Sequence, residues 1–216
     1  MYRYNPDKFP NAAVLAYFDT YFGSKEDRRQ VCAFGFEPNV RWSDRLKRLE
    51  AKMNRASFGA VIFTQTAVGT KNGNVTFYID EGKGKLGGKD NNNWGSSLYQ
   101  WNQKDMRSEM SGLLDIAAFI QHEVIPRAGK SSTSKVFMKM DVEGAEYDII
   151  PSMLERGVLC DIDAIVVEFH PYFVKGAMLK KQYLNYLNKE IIKRPGCKIK
   201  VLSLDDESYV NAPEDE

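Results

Sequence analysis

The stretch at residues 136–146, VFMKMDVEGAE, decides how the rest of the chain is interpreted. Its first half is apolar enough for a buried strand, and Gly144 supplies the backbone freedom for a sharp turn after that strand. Asp141, Glu143 and Glu146 collect at the carboxyl end of the strand. Since open parallel α/β sheets bind ligands at the carboxyl ends of their strands, this cluster of acids indicates a functional site. For any single carboxylate, the simpler interpretation is a solvated acidic turn.

The composition is that of a single globular domain spanning residues 1–216. Hydrophobic residues make up 43% and charged residues 27%, and 30 basic residues nearly balance 29 acidic ones. No basic surplus therefore favours nucleic acid or an anionic membrane as a partner. Cys32, Cys160 and Cys197 are odd in number and far apart, which favours reduced thiols. Without an apolar run of transmembrane length or a signal-peptide core, we expect a soluble, cytoplasmic protein.

Helices and strands alternate along the first third of the chain. Capping and apolar spacing predict a helix over residues 11–22, closed by Gly23, and a second helix over residues 42–53. Apolar runs predict strands at residues 31–36 and 60–69, and an alternating pattern predicts a strand at 74–79. This order is typical of a layered α/β domain.

The composition changes over residues 80–111, which are rich in glycine, asparagine and lysine. A structureless loop of this length usually forms a lid, a binding loop or a disordered insertion. Trp94, Leu98, Tyr99 and Trp101 favour a lid, because aromatic and apolar side chains there could fold over a ligand. At the other end of the chain, residues 211–216 are polar and acidic and predict a frayed tail.

Regular structure resumes at Asp115, which is placed to cap a helix. After the central strand, Pro151 is predicted to start a helix that ends near Gly157. The remaining predicted elements are a buried strand at 162–169, a helix at 179–191 and a closing strand at 199–204.

Two further groups of polar residues follow apolar strands. Glu37 ends one strand, where nucleotide-binding α/β folds place the acid that accepts hydrogen bonds from ribose hydroxyls. Glu168 and His170 end another and lie two residues apart, so in an extended strand they point to the same side as one another. A histidine there could remove a proton from a substrate hydroxyl. The alternative for His170 is a hydrogen-bonded residue at a strand end.

The chain resembles the FkbM family of S-adenosylmethionine-dependent methyltransferases. The resemblance is carried by residues 34–39 (FGFEPN), 67–69 (AVG), 94–98 (WGSSL), 139–146 (KMDVEGAE) and 167–170 (VEFH). Residues 139–146 carry the most specific of these motifs. The resemblance implies an α/β fold, a Rossmann-like methyltransferase sandwich with a mostly parallel central sheet. It also implies S-adenosyl-L-methionine as cofactor and a small-molecule acceptor, with methylation of a hydroxyl on a sugar or small metabolite.

The resemblance also assigns roles to residues. Around the cofactor it implies Glu37, on the ribose, with Pro38, Asn39, Ala67, Val68 and Asp141. Near the acceptor it implies Ser96, Ser97, Glu146 and Glu168. The catalytic candidates are Asp141, His170, Lys139 and Glu143, with His170, Asp141 or Glu143 as the base, and no metal ion is expected.

The family normally opens with a strand that runs into a glycine-rich loop, and nothing before Val31 matches that element. We therefore expect the chain to start after the first strand, as an amino-terminally truncated domain or, second, a degenerate one. Loss of that strand would remove the central member of the sheet and weaken cofactor binding.

Three other functions compete with methyl transfer. A metal-dependent glycosyltransferase could use Asp141 and Glu143 to hold a divalent ion. A nicotinamide oxidoreductase is compatible with the fold, but the glycine fingerprint is missing. A catalytically defective methyltransferase-like domain could persist as a binding module.

Overall fold

The computed structural model describes residues 13–23, 30–81, 95–101, 106–129 and 134–204. In chain order its elements are α1 (Ala13–Phe22), β1 (Cys32–Glu37), α2 (Ser43–Arg55), β2 (Gly59–Thr64), β3 (Thr66–Gly69), β4 (Gly73–Asp80), β5 (Met106–Asp115), α3 (Ile116–Phe119), a π-helical turn (Ile120–Val124), α4 (Ile125–Ala128), β6 (Phe137–Met140), α5 (Glu146–Glu155), β7 (Ala164–Val167), α6 (Lys180–Ile192) and β8 (Lys200–Ser203). Short 3-10 helices occupy Val40–Trp42, Val158–Asp161 and Pro171–Phe173.

The strands of the described ranges form three groups. β1 pairs in parallel with β2, and β6, β7 and β8 form a parallel sheet in that order. In the third group β5 lies between β3, which is parallel to it, and β4, which is antiparallel. Helices connect the parallel neighbours in β1–α2–β2, β6–α5–β7 and β7–α6–β8 units. This parallel-rich α/β arrangement is consistent with the Rossmann-like fold that the resemblance implies.

The core is centred on β7, whose four residues are all buried. Apolar residues of α5 and α6 pack around it, among them Ile149, Met153 and Leu187. A strand buried on both faces reads as a continuous apolar run, which is why residues 162–169 gave a clear strand prediction. The well-packed half of the molecule thus carries the strand ends on which the candidate site is built.

Most predicted elements are confirmed with small shifts of their ends. Asp115 caps α3, since its carboxylate accepts a hydrogen bond from the Ala118 N–H at 3.0 Å. Gly23 follows α1 with a φ of 67°, as a glycine after a helix does. The proposed cap Asn11 and the tail at residues 211–216 lie outside the described residues.

The prediction of a loop from residue 80 to residue 111 is wrong at both ends. Asp80 is the last residue of β4, and β5 begins at Met106 and pairs with β4 over eight residues of each strand. Ser97, between them, forms an isolated antiparallel bridge with Tyr78. Arginine, serine and glutamate in β5 made the strand hard to recognise from the sequence. Its partner β4 lies more than 25 positions earlier, and a local pattern does not report such distant pairing.

Two other boundaries differ from the predictions. The apolar run at residues 60–69 is divided into β2 and β3 by Gln65, whose φ of 53° is incompatible with a continuous strand. Pro151 lies inside α5, which starts at Glu146, and does not begin a helix. A proline in a helix removes one backbone hydrogen bond, and the buried apolar residues on α5 offset that loss.

The expectation of three reduced cysteines is also wrong. Cys160 and Cys197 form a disulfide that connects the segment after α5 with the segment before β8, whereas Cys32 is free and exposed. The pairing could not be inferred from the sequence, because the two cysteines are 37 residues apart. The cytoplasmic location that the cysteine count favoured therefore loses that support. Within the described ranges, no helix has the length and apolarity needed to cross a membrane.

Candidate active site

The turn after β6 is held in an unusual backbone conformation. Glu143 has a φ of 50° and Gly144 a φ of 104°, so two successive residues are left-handed. A Cβ on Gly144 would lie 3.1 Å from atoms of Tyr99, Phe173 and Val174. Only glycine fits this position, and a non-glycine residue at positive φ costs about 1–3 kcal/mol. Strain of this kind is typical of functional sites, and here it places the Glu143 carboxylate.

Glu146 ties the two strand ends together. Its side chain is fully buried, with 0% of its surface exposed. One carboxylate oxygen accepts a hydrogen bond from the Gly144 N–H at 2.9 Å, and the other accepts from the His170 N–H at 2.5 Å. Charged acceptors bonded to backbone N–H groups are strong and directional. Glu146 therefore fixes the turn after β6 against the segment after β7.

The imidazole of His170 lies at the centre of the acids. Its Nε2 is 3.4 Å from Glu168 Oε1, 3.5 Å from Glu143 Oε2 and 3.8 Å from Asp141 Oδ1. Its Nδ1 is 3.3 Å from Glu146 Oε1. The histidine side chain is only 4% exposed, whereas those of Asp141, Glu143 and Glu168 are 34%, 22% and 24% exposed. The carboxylates, and not the histidine, thus form the accessible surface of the cluster.

Lys139 supplies a second cationic group on the same surface. Its Nζ lies 3.2 Å from Asp141 Oδ2 and 3.5 Å from Glu168 Oε2. β6 and β7 are neighbours in register, with Lys139 opposite Val166, so their exits lie side by side. The ammonium group therefore bridges the carboxylates that follow the two strands.

Burial and the crowded charges shift two pKa values. Burial raises the pKa of Glu143 to about 8, and Asp141, Glu168 and Glu146 add to the rise while His170 opposes it. Burial alone would lower the pKa of His170, but Glu146, Glu143 and Asp141 outweigh that effect and raise it to about 9. The imidazole is therefore cationic at neutral pH, and Glu143 exchanges its proton near the working pH of most enzymes.

The predicted cofactor acid lies at the end of β1. Oε1 of Glu37 accepts a hydrogen bond from the Asn39 N–H at 2.7 Å, and burial raises the pKa of Glu37. Asn39 is buried, and its side chain accepts a hydrogen bond from the Arg41 N–H. The carbonyl of Pro38 accepts a hydrogen bond from the Ser111 hydroxyl at 3.1 Å, which attaches this turn to β5. The Glu37 carboxylate is therefore fixed at a strand end, as a ribose ligand requires.

The other two predicted cofactor residues lie on β3. Ala67 is buried, and Val68 lines a cavity of about 780 Å³. Phe36, at the end of β1, and Asp141, after β6, line the same cavity. The structure thus brings the end of β1, β3 and the acidic turn to one space. Glu143 and His170 belong to the same cluster as Asp141.

The described part of the predicted lid packs against the acidic turn. The hydroxyl of Ser97 donates a hydrogen bond to the Glu143 carbonyl at 2.5 Å and accepts one from the Tyr99 N–H at 3.0 Å. The hydroxyl of Ser96 accepts a hydrogen bond from the Asp80 N–H at 3.0 Å. Tyr99 also donates a hydrogen bond from its hydroxyl to Asp148. Ser97 is almost fully buried, and its hydrogen bond to the Glu143 carbonyl attaches this segment to the acidic turn. Trp94 lies outside the described residues.

An aromatic stack behind the histidine was not foreseen. The ring of Phe173 stacks on His170 with centroids 5.6 Å apart and planes 9° apart, and Trp101 stacks on the other side of Phe173 at 5.0 Å. The stack connects the segment at residues 95–101 to the segment after β7. The only sequence signal was the pair of aromatic residues that follows Pro171, and that pair has no special spacing.

Asp141, Glu168 and His170 also have the composition of a metal site. Each offers one ligand atom, and these atoms lie within 4.8 Å of one another. A metal ion binds the neutral imidazole, so metal binding here would compete with the proton that the neighbouring acids favour on His170.

Comparison with known proteins identifies a family. The family described as the methyltransferase FkbM domain matches residues 11–193, which is most of the chain. No curated protein and no solved structure matches.

Proposed function

Because the chain belongs to the FkbM methyltransferase family, we propose that it transfers a methyl group from S-adenosylmethionine to a hydroxyl oxygen of a sugar or other small metabolite. The observation that carries this proposal is the cluster of carboxylates around His170 at the ends of β6 and β7. It lies at the side of a parallel sheet where α/β folds bind ligands.

The residues of the strand ends fit such a cofactor. S-adenosylmethionine carries a sulfonium and an ammonium cation, and the carboxylate of Asp141, beside His170, provides complementary negative charge. Glu37 is the ligand we assign to the ribose hydroxyls, with Pro38 and Asn39 holding its turn. We assign Ala67, Val68 and Asp141 to the remainder of the cofactor, since Val68 and Asp141 line one cavity. When bound, the cofactor supplies a methyl group that is already activated.

The chemistry left to the protein is alignment and removal of one proton. Glu143 takes the proton of the acceptor hydroxyl, because its pKa is raised to about 8 and its side chain is partly accessible. His170 is the positioning residue: it is cationic, buried and in contact with each neighbouring acid. It stabilises the ionised form of Glu143, which is the form that takes the proton.

The exposure of the side chains around Glu143 indicates which of them could contact the acceptor. Asp141, Lys139 and Glu168 are partly exposed beside Glu143, and we propose that they hydrogen bond to acceptor hydroxyls. Glu146 and Ser97 are buried, so we propose that they position other residues and do not contact the acceptor. Ser96 remains a proposed acceptor residue, and the support for that role is its position next to Ser97. A metal-dependent glycosyltransferase is no longer supported, because the family match is to a methyltransferase.

The test is a transfer assay with a panel of hydroxylated sugars and S-adenosylmethionine labelled in its methyl group. The expected product is a sugar heavier by one methylene unit, with the label on oxygen. Transfer to a nitrogen or a carboxylate of comparison compounds, with none to hydroxyl groups, would overturn the proposed acceptor class. Cofactor binding without transfer to any of these acceptors would favour the non-catalytic binding module instead.

A further inference from the structure

An exposed aromatic ring lies beside the acids that follow β7. Tyr172 belongs to the 3-10 helix Pro171–Phe173, and 73% of its surface is exposed. Its ring meets the imidazole of His170 at right angles, with centroids 6.0 Å apart and planes at 83°. A single exposed tyrosine elsewhere on a protein surface needs no explanation. This one contacts the imidazole that the carboxylates surround, and it therefore borders the accessible surface of the candidate site.

The Tyr172 ring is supported by the aromatic stack beside it. It packs against Phe173 with centroids 4.6 Å apart and planes at 81°, and Phe173 is itself stacked between His170 and Trp101. The indole N–H of Trp101 donates a hydrogen bond to the Gly95 carbonyl at 2.7 Å, and a Cβ on Gly95 would lie only 2.7 Å from the indole. An aromatic ring supported in this way loses little conformational freedom when it binds a ligand.

Two rings of this group are accessible to a ligand, and we call them the aromatic shelf: Tyr172, and Trp101 with 41% of its surface exposed. The face of an aromatic ring carries partial negative charge, which attracts the partially positive hydrogens of C–H groups. A pyranose ring has one face made largely of C–H groups and a rim of hydroxyl groups. The shelf is suited to the face of such a ring, and the neighbouring acids are suited to its rim.

The polar groups beside the shelf favour a sugar over an aromatic alcohol. Asp141, Glu143, Glu168 and Lys139 are partly exposed and close to one another. Charged groups that lose water in a complex and find no partner there lower the affinity. An aromatic alcohol could stack on the shelf, but its one or two hydroxyl groups would leave most of this set without a partner. A ligand with several adjacent hydroxyl groups offers donors to the carboxylates and an acceptor to the ammonium group.

From these relations we propose that the aromatic shelf binds the acceptor and that the acceptor is a carbohydrate whose pyranose ring stacks on Tyr172. This inference rests on the proposed function in one respect, since it places the acceptor at the acids beside Glu143. It goes further by restricting the acceptor to carbohydrates. It also assigns specificity to Tyr172, which lies outside the sequence motifs that carry the family resemblance.

The experiment measures sugar binding directly, on the full chain. Methyl α-D-glucopyranoside, methyl β-D-galactopyranoside and methyl α-D-mannopyranoside are titrated by saturation-transfer NMR, with and without S-adenosylhomocysteine, and 4-hydroxybenzyl alcohol is the aromatic comparison. Tyr172→Phe keeps the aromatic face, whereas Tyr172→Leu keeps an apolar side chain without that face. The matched control is Tyr186→Leu, which replaces an exposed tyrosine on α6. Thermal unfolding of each variant checks its folding, and an exposed position such as Tyr172 should tolerate the change.

We expect at least one glycoside to bind, and Tyr172→Leu to weaken its binding by about fivefold or more. Tyr172→Phe and Tyr186→Leu should stay within about twofold of the parent chain. For a glycoside that is methylated, KM should rise in Tyr172→Leu by the same factor as the dissociation constant, with kcat largely kept. Absence of glycoside binding, tighter binding of the aromatic alcohol, or equal weakening by Tyr172→Leu and Tyr186→Leu would overturn the proposal.

The two readouts separate this inference from the proposed function. Methyl transfer to sugars with the same KM in Tyr172→Leu and the parent chain would overturn the role of the shelf and leave the proposed function intact. Sugar binding that depends on Tyr172, without transfer of a methyl group to any sugar, would overturn the proposed function and leave the shelf as a carbohydrate-binding site.

Discussion

Nε2 of His170 lies 3.5 Å from Oε2 of Glu143, and the two groups have raised pKa values of about 9 and about 8. A buried imidazolium beside a partly accessible carboxylate is an arrangement in which the carboxylate, and not the histidine, meets the substrate. The sequence left His170, Asp141 or Glu143 as the base, and we propose Glu143.

Glu143→Gln should lower the turnover of methyl transfer by about a hundredfold or more, since it removes the proposed base and keeps the size of the side chain. Affinity for S-adenosylhomocysteine should change little, because we assign Glu143 to the acceptor side. Turnover and the affinity for S-adenosylhomocysteine are measured on the same preparation, with the exposed Glu155→Gln as control. A loss of affinity equal to the loss of turnover would contradict the assignment.

The stability of the protein should depend on pH through the same pair. A pKa that is higher in the folded chain means that the folded chain binds the proton more tightly. For His170 this stabilisation is complete below about pH 6.5, the unfolded value, and is lost as pH rises through about 9. For Glu143 it is complete below the ordinary value of 4.5 and is lost through about 8.

Both groups therefore lower the free energy of unfolding as pH rises from 5 to 9. Thermal unfolding over this range should give a flatter profile in the double variant Glu143→Gln/His170→Gln than in the parent chain. The exposed His122→Gln is the control and should keep the parent profile. Identical slopes in the double variant and the parent would show that the pair is not the source of the dependence.

Ser97→Ala should disturb the turn at Glu143 from outside the cluster. It removes the hydrogen bond to the Glu143 carbonyl and the one from the Tyr99 N–H, and it should lower the free energy of unfolding by about 1–3 kcal/mol. Because the positive φ of Glu143 is then less well held, turnover should fall while cofactor affinity is kept. Denaturant unfolding and transfer kinetics are compared with the exposed Ser108→Ala. Unchanged turnover in a folded Ser97→Ala protein would remove the positioning role.

Reduction of the Cys160–Cys197 disulfide should destabilise the carboxyl-terminal half by about 2–4 kcal/mol, since the bond closes a loop with a sequence separation of 37. Dithiothreitol should lower the Tm of the parent chain and of Cys32→Ser. The double variant Cys160→Ser/Cys197→Ser should start at the lower Tm and not respond. A Tm that is insensitive to the reductant in all three proteins would contradict a structural role for the bond.

The strands that build the site could be predicted because their signals are local. β7 is a continuous apolar run. The acids after β6 are adjacent in sequence, and because the parallel strands β6 and β7 end at the same edge, these acids were expected to lie near the residues after β7. The buried role of Glu146 could not be predicted, because an acid in a turn is normally solvated. Its burial depends on two backbone N–H groups that come together only in the folded chain.

The features that were missed depend on distant contacts. β5 is polar in sequence and exists because β3 and β4 flank it. Phe173 reaches His170 only because the 3-10 helix at Pro171–Phe173 turns the ring back over the imidazole. The protonation state of His170 likewise depends on acids from separate parts of the chain, which strand periodicity cannot report.

The proposed binding site for S-adenosylmethionine is formed by the end of β1, by β3 and by the turn after β6. Calorimetric titration of the chain with S-adenosylhomocysteine, repeated on Glu37→Ala, tests it most directly. We predict micromolar binding by the parent chain and affinity weaker by about 1.5–3 kcal/mol in Glu37→Ala, because the variant loses hydrogen bonds to a charged acceptor. No binding by the folded parent chain, or equal affinity in the two proteins, would contradict the claim.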